Sequence, residues 1–456
     1  MTTKTRSPAP RSAREAAFAV LLREEAADAF VSILLFRTLE RSSLSAPDRA
    51  LATAITLGVL RHRERLDYAL TPLLRRPLES LPPAIRTILR MGAYQILDLD
   101  RIPKAAATSE AVTLAARHGH AGTARLVNAV LRRLAAEGPP PPPDAPTDPI
   151  GHLAVVHSHP RWLVARWAAQ WGFEEAAALA AANTLPPPSV LRVNTLRTTR
   201  DALIDALRAR GMHPEPGLVP EAIRVHGSLV ERLSLIEQGL CLAQDEGAML
   251  AAHAVAPAAG TAVIDACAAP GGKATHLAAL MGNAGRVLAC DIHQGKLQAV
   301  ARRAAAMGAT CLEAHHLDAR EIGRRWPGEA DAVLVDAPCS GLGTVRRRPE
   351  IKWRATEDAL ARHAAAQQAI LAGAAGAVRP GGALVYSVCS LEPEEGPQVV
   401  RTFLAAHPTF ALAPLPEAFP RTVGSSPVDD PATGEVRLFP HRHDTDGFYI
   451  ARLQRR

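Results

Sequence analysis

From about Asp245 onward, short apolar segments alternate with helical segments, and this alternation limits the possible folds more than any other feature of the chain. The segments TAVIDAC, GRVLACDI, ATCLEAHHLDA, DAVLVDAP and GALVYSVCS are short and mostly apolar, as buried strands are. Segments between them, such as QGKLQAVARRAAAMG, have helical spacing. Repeated strand–helix units predict a parallel, doubly wound α/β sheet. The late segments EVRLFP and GFYIARLQ predict added antiparallel strands.

The residues before this region fall into three stretches of different composition. Residues 1–137 space apolar residues three and four apart, as in AREAAFAVLLREE and TARLVNAVLRRLAAE, which predicts an all-α helical bundle. The strip GPPPPPDAPTDP predicts a stiff linker over residues 138–149. A small α+β subdomain is predicted for residues 150–244, and the sheet domain for residues 245–456.

Two helix starts inside the bundle have local signals. Pro82 and Pro83 precede an apolar-periodic segment, and proline is tolerated in the first turn of a helix. Ser109 is followed by Glu110, and a serine at this position can accept a backbone N–H. A second helix is therefore expected to begin at Ser109.

Charge and cysteine usage limit the classes of function. The net charge of +7 and the pI near 9.4 favour a polyanionic partner, with nucleic acid first. The six cysteines are scattered without a CxxC pair, so we expect reduced thiols, no metal site and no disulfide framework. The chain has no long apolar run and no signal-peptide pattern, which predicts a cytoplasmic protein without membrane association. A monomer is expected.

Lysine is rare among the basic residues. Of 52 basic residues, the lysines are Lys4, Lys104, Lys273, Lys296 and Lys352. A lysine in such an arginine-rich chain is a candidate for a task that needs a compact point charge. Two of them, Lys273 and Lys352, lie inside the motifs considered below.

A glycine turn follows the first strand of the sheet, in DACAAPGGKATHLA. Such a turn exposes backbone N–H groups and directs a helix N-terminus at a ligand. The adjacent Gly271 and Gly272 match neither GxGxxG nor the Walker A loop, and an ordinary tight turn is the alternative. A side chain at Gly272 is expected to block close approach of a ligand.

Acidic residues follow four of the predicted strands: Asp265, Asp291, Asp318 and Asp336. Ligands of open α/β sheets bind outside the carboxyl ends of the strands, so we expect these acids to face one crevice. Asp291 lies about twenty residues past the glycines, where an acid can accept hydrogen bonds from a ribose. This row fits S-adenosyl-L-methionine, whose ribose, adenine and methionine parts each need polar partners.

Cys339 in VDAPCS and Cys389 in VYSVCS occupy equivalent places after two successive strands. Such strands normally lie side by side, so both thiols are expected beside the cofactor; a buried structural cysteine is the alternative for Cys339. A thiolate that adds to C6 of cytosine makes C5 able to accept a methyl group. Asp336 is expected to hydrogen-bond the base. The residues alone leave open which thiol attacks.

The motifs CAAPGGK, DAPCSGLGTVRRRPEIKW and YSVCSLEPEE resemble the signatures of RNA cytosine-5 methyltransferases. The whole chain resembles the bacterial Sun/RsmB type, which acts on small-subunit (16S) ribosomal RNA, and the helical region is similar to its NusB-like RNA-binding module. The resemblance implies a Rossmann-like S-adenosyl-L-methionine-dependent methyltransferase domain, with Cys389 as nucleophile and Cys339 aiding release. It also implies cofactor contacts from Cys267, Ala268, Ala269, Pro270, Gly271, Gly272, Lys273, Asp291, Asp318 and Asp336.

The basic stretch VRRRPEIKWR, with Arg346, Arg347, Arg348, Lys352 and Arg354, is expected to follow RNA phosphates beside a flipped-out base. A solvated surface loop is the alternative.

Two other functions compete with an RNA methyltransferase. A DNA cytosine-5 methyltransferase is the nearest enzymatic alternative, and a noncatalytic RNA-binding or assembly factor belongs to another class. The pair of thiols and the row of acids speak against the noncatalytic factor, because binding alone needs neither.

Overall fold

The structure is a computed structural model that describes residues 9–26, 30–226, 234–423, 426–427 and 431–456. The chain divides into two compact units. The first comprises Met1–Leu185 and Val345–Arg354, and the second comprises Pro186–Thr344 and Ala355–Arg456. This grouping differs from the predicted stretches, because the helices after the Pro-rich strip and a late ten-residue segment cluster with the bundle. No helix in the described ranges has the length and apolar character needed to cross a membrane.

The first unit is helical, as predicted for its N-terminal part. Its main helices are α1 (Ala13–Ala26), α2 (Val31–Glu40), α3 (Ala46–Arg61), α4 (Arg63–Leu70), α5 (Pro83–Asp98), α6 (Lys104–His118), α7 (Ala121–Glu137), α8 (Pro149–Val156), α9 (Arg161–Trp171) and α10 (Phe173–Thr184). The apolar faces of α1 to α7 share one core. The Pro-rich strip between α7 and α8 has no regular structure, as its composition predicts.

The two predicted helix starts have different outcomes. Helix α5 begins at Pro83 with Pro82 before it, as expected. The prediction at Ser109 was wrong, because α6 already begins at Lys104, directly after Pro103. Proline favours the start of a helix, so Ser109 lies in the helix interior.

The second unit begins with a small antiparallel sheet. Its strands are β1 (Val190–Val193), β2 (His213–Pro216), β3 (Ala222–His226) and β4 (Cys241–Ala243), in the order β2-β3-β1-β4. Helix α11 (Arg200–Arg208) is capped by Thr199, whose side chain accepts the N–H of Ala202. Leu203 and Leu207 of α11 share a core with the sheet. The α+β character predicted for this part of the chain is confirmed.

The larger sheet of the second unit has the predicted doubly wound arrangement. Its strands are β5 (Ala262–Asp265), β6 (Arg286–Asp291), β7 (Leu312–His316), β8 (Ala330–Asp336), β9 (Val378–Val388), β10 (Phe410–Leu412), β13 (Glu435–Leu438) and β14 (Phe448–Arg455), while β11 (Thr422–Val423) and β12 (Ser426–Pro427) pair separately. The order is β10-β14-β9-β8-β5-β6-β7, with β13 on β14. Strands β5 to β9 are parallel and β14 is antiparallel. The order reverses between β5 and β8, where ligands bind such sheets.

Both faces of this sheet are covered by helices. They are α12 (Glu246–Val255), α13 (Gly272–Leu280), α14 (Gln294–Met307), α15 (Ile322–Arg325), α16 (Glu357–Ala375), α17 (Pro397–Ala406) and α18 (Pro440–His443). Successive residues of one strand enter opposite cores: Leu334 packs with α12 to α14, and Val335 packs with α16 and α17. Burial on both sides explains why these strands are continuous apolar runs in the sequence.

Candidate active site

The glycine turn connects β5 to α13 at the carboxyl edge of the sheet. Gly271 has φ +99°, and a Cβ there would lie 3.2 Å from Cα of Val300. Gly272 opens α13, and a Cβ on it would meet its nearest protein atom, Oε1 of Gln244, at an ordinary 3.6 Å. The backbone therefore requires glycine at 271, whereas the protein itself leaves room for a side chain at 272.

Asp291, at the end of β6, is tied to this turn. Its carboxylate accepts the N–H of Ala269 at 3.3 Å and the N–H of His293 at 2.8 Å. The next residue, Ile292, is 53% exposed and places an apolar surface beside the acid. Sequence reasoning missed Ile292, although the sequence shows an isoleucine directly after the strand-end acid.

Asp265, at the end of β5, is 1% exposed. Neither of its carboxylate oxygens has a hydrogen-bond donor at normal geometry in the described chain. Burial, reinforced by the charge of Asp336, raises the pKa of Asp265 to about 7. The backbone N–H of Cys267 offsets only part of this effect, so the buried carboxylate fits a cationic group of a ligand.

Asp318 follows β7, and the N–H of the residue before it, Leu317, donates to the carbonyl of Asp291 at 3.3 Å. Its carboxylate accepts the N–H of Arg320 and pairs with the guanidinium of the same residue. Arg320 thereby lowers the pKa of Asp318. A cofactor contact by Asp318 remains a prediction.

Lys273 and Asp336 form an ion pair across the switch point. The Nζ atom of Lys273 lies 2.7 Å from Oδ2 of Asp336, and Ser387 Oγ donates to the other carboxylate oxygen at 2.9 Å. Burial disfavours the charge of Lys273, but Asp336 outweighs this effect and raises the pKa of the lysine. The pair joins the glycine turn to the ends of β8 and β9.

The two candidate thiols lie side by side. Strands β8 and β9 are neighbours in register, with Asp336 opposite Ser387, and the Sγ atoms of Cys339 and Cys389 are 3.3 Å apart. The hydrogen bond with Cys389, together with burial, raises the pKa of Cys339 well above its usual value. The positive charge of Lys273 interacts with Cys389.

Glu395 holds the loop that carries Cys339. Its carboxylate accepts the N–H of Ser340 at 2.7 Å and also the Ser340 hydroxyl, and Gln367 donates to the carbonyl of Pro338 at 2.9 Å. Glu395 is fully buried. Sequence reasoning missed this role, although the acids of LEPEE directly follow the second thiol.

The basic stretch of the thiol motif belongs to the first unit, and part of the prediction for it was wrong. Lys352 is fully buried and donates to the carbonyls of Arg61, at 3.0 Å, and of Ser158. Arg354 pairs with Glu24 at 2.9 Å. Lys352 is therefore not available to RNA phosphates, and Arg354 is already paired with an acid of its own unit.

Models of known protein families match three parts of the chain. The model of the 16S rRNA methyltransferase RsmB/F matches residues 252–454. The NusB family model matches residues 11–136, and the ferredoxin-like domain of RsmF/B-like methyltransferases matches residues 159–244.

Two named relatives are similar along almost their full lengths. The "Probable ribosomal RNA small subunit methyltransferase B" of Bacillus subtilis (strain 168) is 37% identical over 98% of this chain and 99% of that protein. The "Ribosomal RNA small subunit methyltransferase B" of Thermus thermophilus is 37% identical over 97% of each. This chain belongs to the Sun/RsmB family. Among solved structures, PH0851 covers 98% of this Sun/RsmB chain with a TM-score of 0.83 and 26% identity. A methyltransferase homolog from Pyrococcus horikoshii covers 67% with a TM-score of 0.57 and 29% identity.

Proposed function

We propose that this Sun/RsmB protein transfers a methyl group from S-adenosyl-L-methionine to C5 of a cytosine in small-subunit (16S) ribosomal RNA. Methylation of ribosomal RNA follows from the family; the base, the carbon atom and the covalent route are the proposal. The 3.3 Å separation of the Cys339 and Cys389 Sγ atoms carries it, because methylation of a nitrogen or a hydroxyl needs no pair of thiols.

The residues at the carboxyl edge fit S-adenosyl-L-methionine. When bound, this cofactor supplies an electrophilic methyl group carried on a sulfonium ion. The buried carboxylate of Asp265 suits the cationic methionine part, and Asp291 suits the ribose hydroxyls. Ile292 offers an apolar surface to the adenine ring, and the start of α13, at Gly272 and Lys273, supplies backbone N–H groups.

The thiols are assigned separate tasks. Cys389 adds as a thiolate to C6, so that an S–C bond forms and the electrons of the C5–C6 double bond move to C5. C5 takes the methyl group of S-adenosyl-L-methionine, which departs as S-adenosyl-L-homocysteine. A base then removes the C5 proton, and the C5–C6 double bond re-forms as the S–C bond breaks and releases the thiolate. Lys273 favours the thiolate of Cys389 through its charge. Cys339, whose raised pKa keeps it protonated, aids release, and Asp336 hydrogen-bonds the base.

The helical unit is proposed to bind the ribosomal RNA. Its N-terminal part matches the NusB family, and the chain has a net charge of +7, which favours a polyanion. A ribosomal RNA substrate would put the enzyme in the cytoplasm, as the sequence predicts.

Substrate identity is tested by offering naked 16S ribosomal RNA, small ribosomal subunits and duplex DNA to the purified protein with S-adenosyl-L-methionine. We expect 5-methylcytosine in the ribosomal RNA and none in DNA. Methylation of DNA alone would favour the DNA enzyme, and binding of RNA without any methylation would favour the noncatalytic factor.

The thiol assignment is tested with Cys389→Ala and Cys339→Ala, with Cys311→Ala as a control outside the site. Cys389→Ala should abolish both methylation and the covalent protein–RNA adduct. Cys339→Ala should accumulate an adduct that survives denaturing electrophoresis, because release is impaired. An adduct in Cys389→Ala alone would reverse the two roles, and full activity in both variants would refute thiol catalysis.

A further inference from the structure

Arg192 is a fully buried arginine whose hydrogen bonds go to the glycine turn. It lies on β1, in the small antiparallel sheet, and is 0% exposed. One guanidinium nitrogen donates to Oε1 of Gln244 at 2.7 Å and to the carbonyl of Gly272. A second guanidinium nitrogen, Nη2, donates to Oγ1 of Thr275 at 2.9 Å. Two acceptors, on Gly272 and Thr275, belong to the first turn of α13.

The charge of Arg192 makes this placement costly. Burial lowers the pKa of the guanidinium to about 9, and its acceptors in the described chain are neutral oxygens and a sulfur rather than a carboxylate. A buried cation without a hydrogen-bonded anion is unfavourable. Its rigid fork, however, holds several acceptors at once in a fixed geometry.

Holding the Gly272 carbonyl also sets the direction of the next N–H. The peptide group is planar and trans, so the N–H of Lys273 points opposite to the carbonyl that Arg192 binds. That N–H is one of the donors that a helix start leaves without an intrahelical partner. Arg192 thus orients a donor that the cofactor site can use.

A second residue of the same small subdomain holds α13 one position further along. Oε1 of Glu221 accepts His276 Nε2 at 2.6 Å and His253 Nε2 at 2.7 Å. We read this cluster as hydrogen-bonded rather than metal-binding, because Nδ1 of His276 has no partner in the described chain. A metal-bound histidine almost always donates its other N–H.

We propose that Arg192 is a positioning residue for the S-adenosyl-L-methionine site, and that the small antiparallel subdomain is part of the framework of that site. This inference rests on the proposed function. It predicts that cofactor affinity depends on a residue about eighty positions before the glycine turn, in a domain that carries none of the methyltransferase motifs.

The test compares Arg192→Met and Arg192→Lys with the wild-type protein, with Arg197→Met as the matched control. Arg197 is an exposed arginine on the same subdomain. Calorimetry measures the Kd for S-adenosyl-L-methionine at a temperature where circular dichroism shows every variant folded. Steady-state assays separate the KM for the cofactor from kcat.

Arg192→Met should weaken cofactor binding at least tenfold and raise the KM for the cofactor, while the Kd for 16S ribosomal RNA stays within twofold. Arg192→Lys should recover part of the affinity, because one ammonium can still donate to the Gly272 carbonyl. Arg197→Met should match the wild type. A folded Arg192→Met protein with wild-type cofactor affinity would overturn the proposal, since a purely structural role predicts that result.

If Arg192→Met does not fold, the Thr275→Val and Thr275→Ser variants test the role proposed for Arg192. The valine variant removes the hydroxyl that Arg192 binds, and the serine variant keeps it. The same hydroxyl accepts from Arg192 and donates to the Gly272 carbonyl, so weaker cofactor binding in the valine variant alone would support the proposal that this carbonyl must be held in place. Equal affinity in both variants would overturn it. Failure of the wild-type protein itself to bind S-adenosyl-L-methionine would instead overturn the proposed function.

Discussion

Lys273 and Lys352 are two of the few lysines of this chain, and both lie in family motifs. They differ in the groups that they bind. Lys273, in the second unit, pairs with Asp336 at 2.7 Å. Lys352, in the first unit, donates to the backbone carbonyls of Arg61 and Ser158. The pKa of Lys273 is raised by Asp336 despite its burial, whereas burial lowers the pKa of Lys352 well below its usual value.

The difference lies in the partner rather than in the lysine. A carboxylate stabilises the charge of Lys273 and leaves it beside the thiols, where positive charge favours a thiolate. Backbone carbonyls carry no net charge, so Lys352 acts mainly as a donor that satisfies them. We infer that Lys273 takes part in catalysis and that Lys352 stabilises its own unit.

The largest expected effect is the contrast between Lys273→Met and Lys352→Met. Lys273→Met should lower kcat by about 10²- to 10³-fold, because the charge beside the reacting thiol is lost. Lys352→Met should lower Tm, because the Arg61 and Ser158 carbonyls lose their donor, but the kcat of the folded protein should stay within about threefold, since the side chain lies outside the proposed active site. The exposed Lys296, changed to Met, controls for the loss of a positive charge. A large loss of kcat in folded Lys352→Met would remove the distinction between the two lysines.

The second-largest effect is expected in the pH dependence of cofactor binding, which we assign to Asp265. Its pKa in the folded protein is about 7, raised from 3.8. The raised pKa contributes to the free energy of unfolding, fully below about pH 4, and this contribution is lost as the pH rises through 7. Only the ionised form can pair with a cation. Cofactor affinity should therefore rise by about tenfold per pH unit well below pH 7 and level off above it, as calorimetry can measure.

The Asp265→Asn variant is the control for this pH dependence. It should bind the cofactor weakly and with little dependence on pH in the same range. A pH profile that is identical in the variant and the wild type would show that another group titrates.

The smallest effect is expected for RNA binding by variants of the basic segment. Arg354→Met leaves the buried Glu24 without its partner, so Tm should fall, and adding Glu24→Gln should recover part of the loss. The slope of log Kd for RNA against log salt should match that of the wild type in filter-binding titrations. A slope reduced by about 1 would indicate a lost phosphate contact and would restore the RNA role predicted from the sequence.

The sequence by itself determined the doubly wound sheet, the glycine turn and the equivalence of the two thiols. These features depend on local patterns: apolar strands buried on both faces, a positive φ that only glycine adopts easily at 271, and chemistry placed directly after strand ends. Because neighbouring parallel strands end at the same edge, the order along the chain was enough to bring Cys339 and Cys389 together.

Only the tertiary structure decided the roles of the buried polar residues. Arg192 binds a carbonyl 80 residues away, Glu395 holds a loop 55 residues away, and Lys352 contacts a carbonyl 194 residues away. No local pattern marks such partners. The fold determines whether a charged side chain contacts an acid, a carbonyl or solvent. These contacts decide whether the side chain contributes to catalysis or to stability.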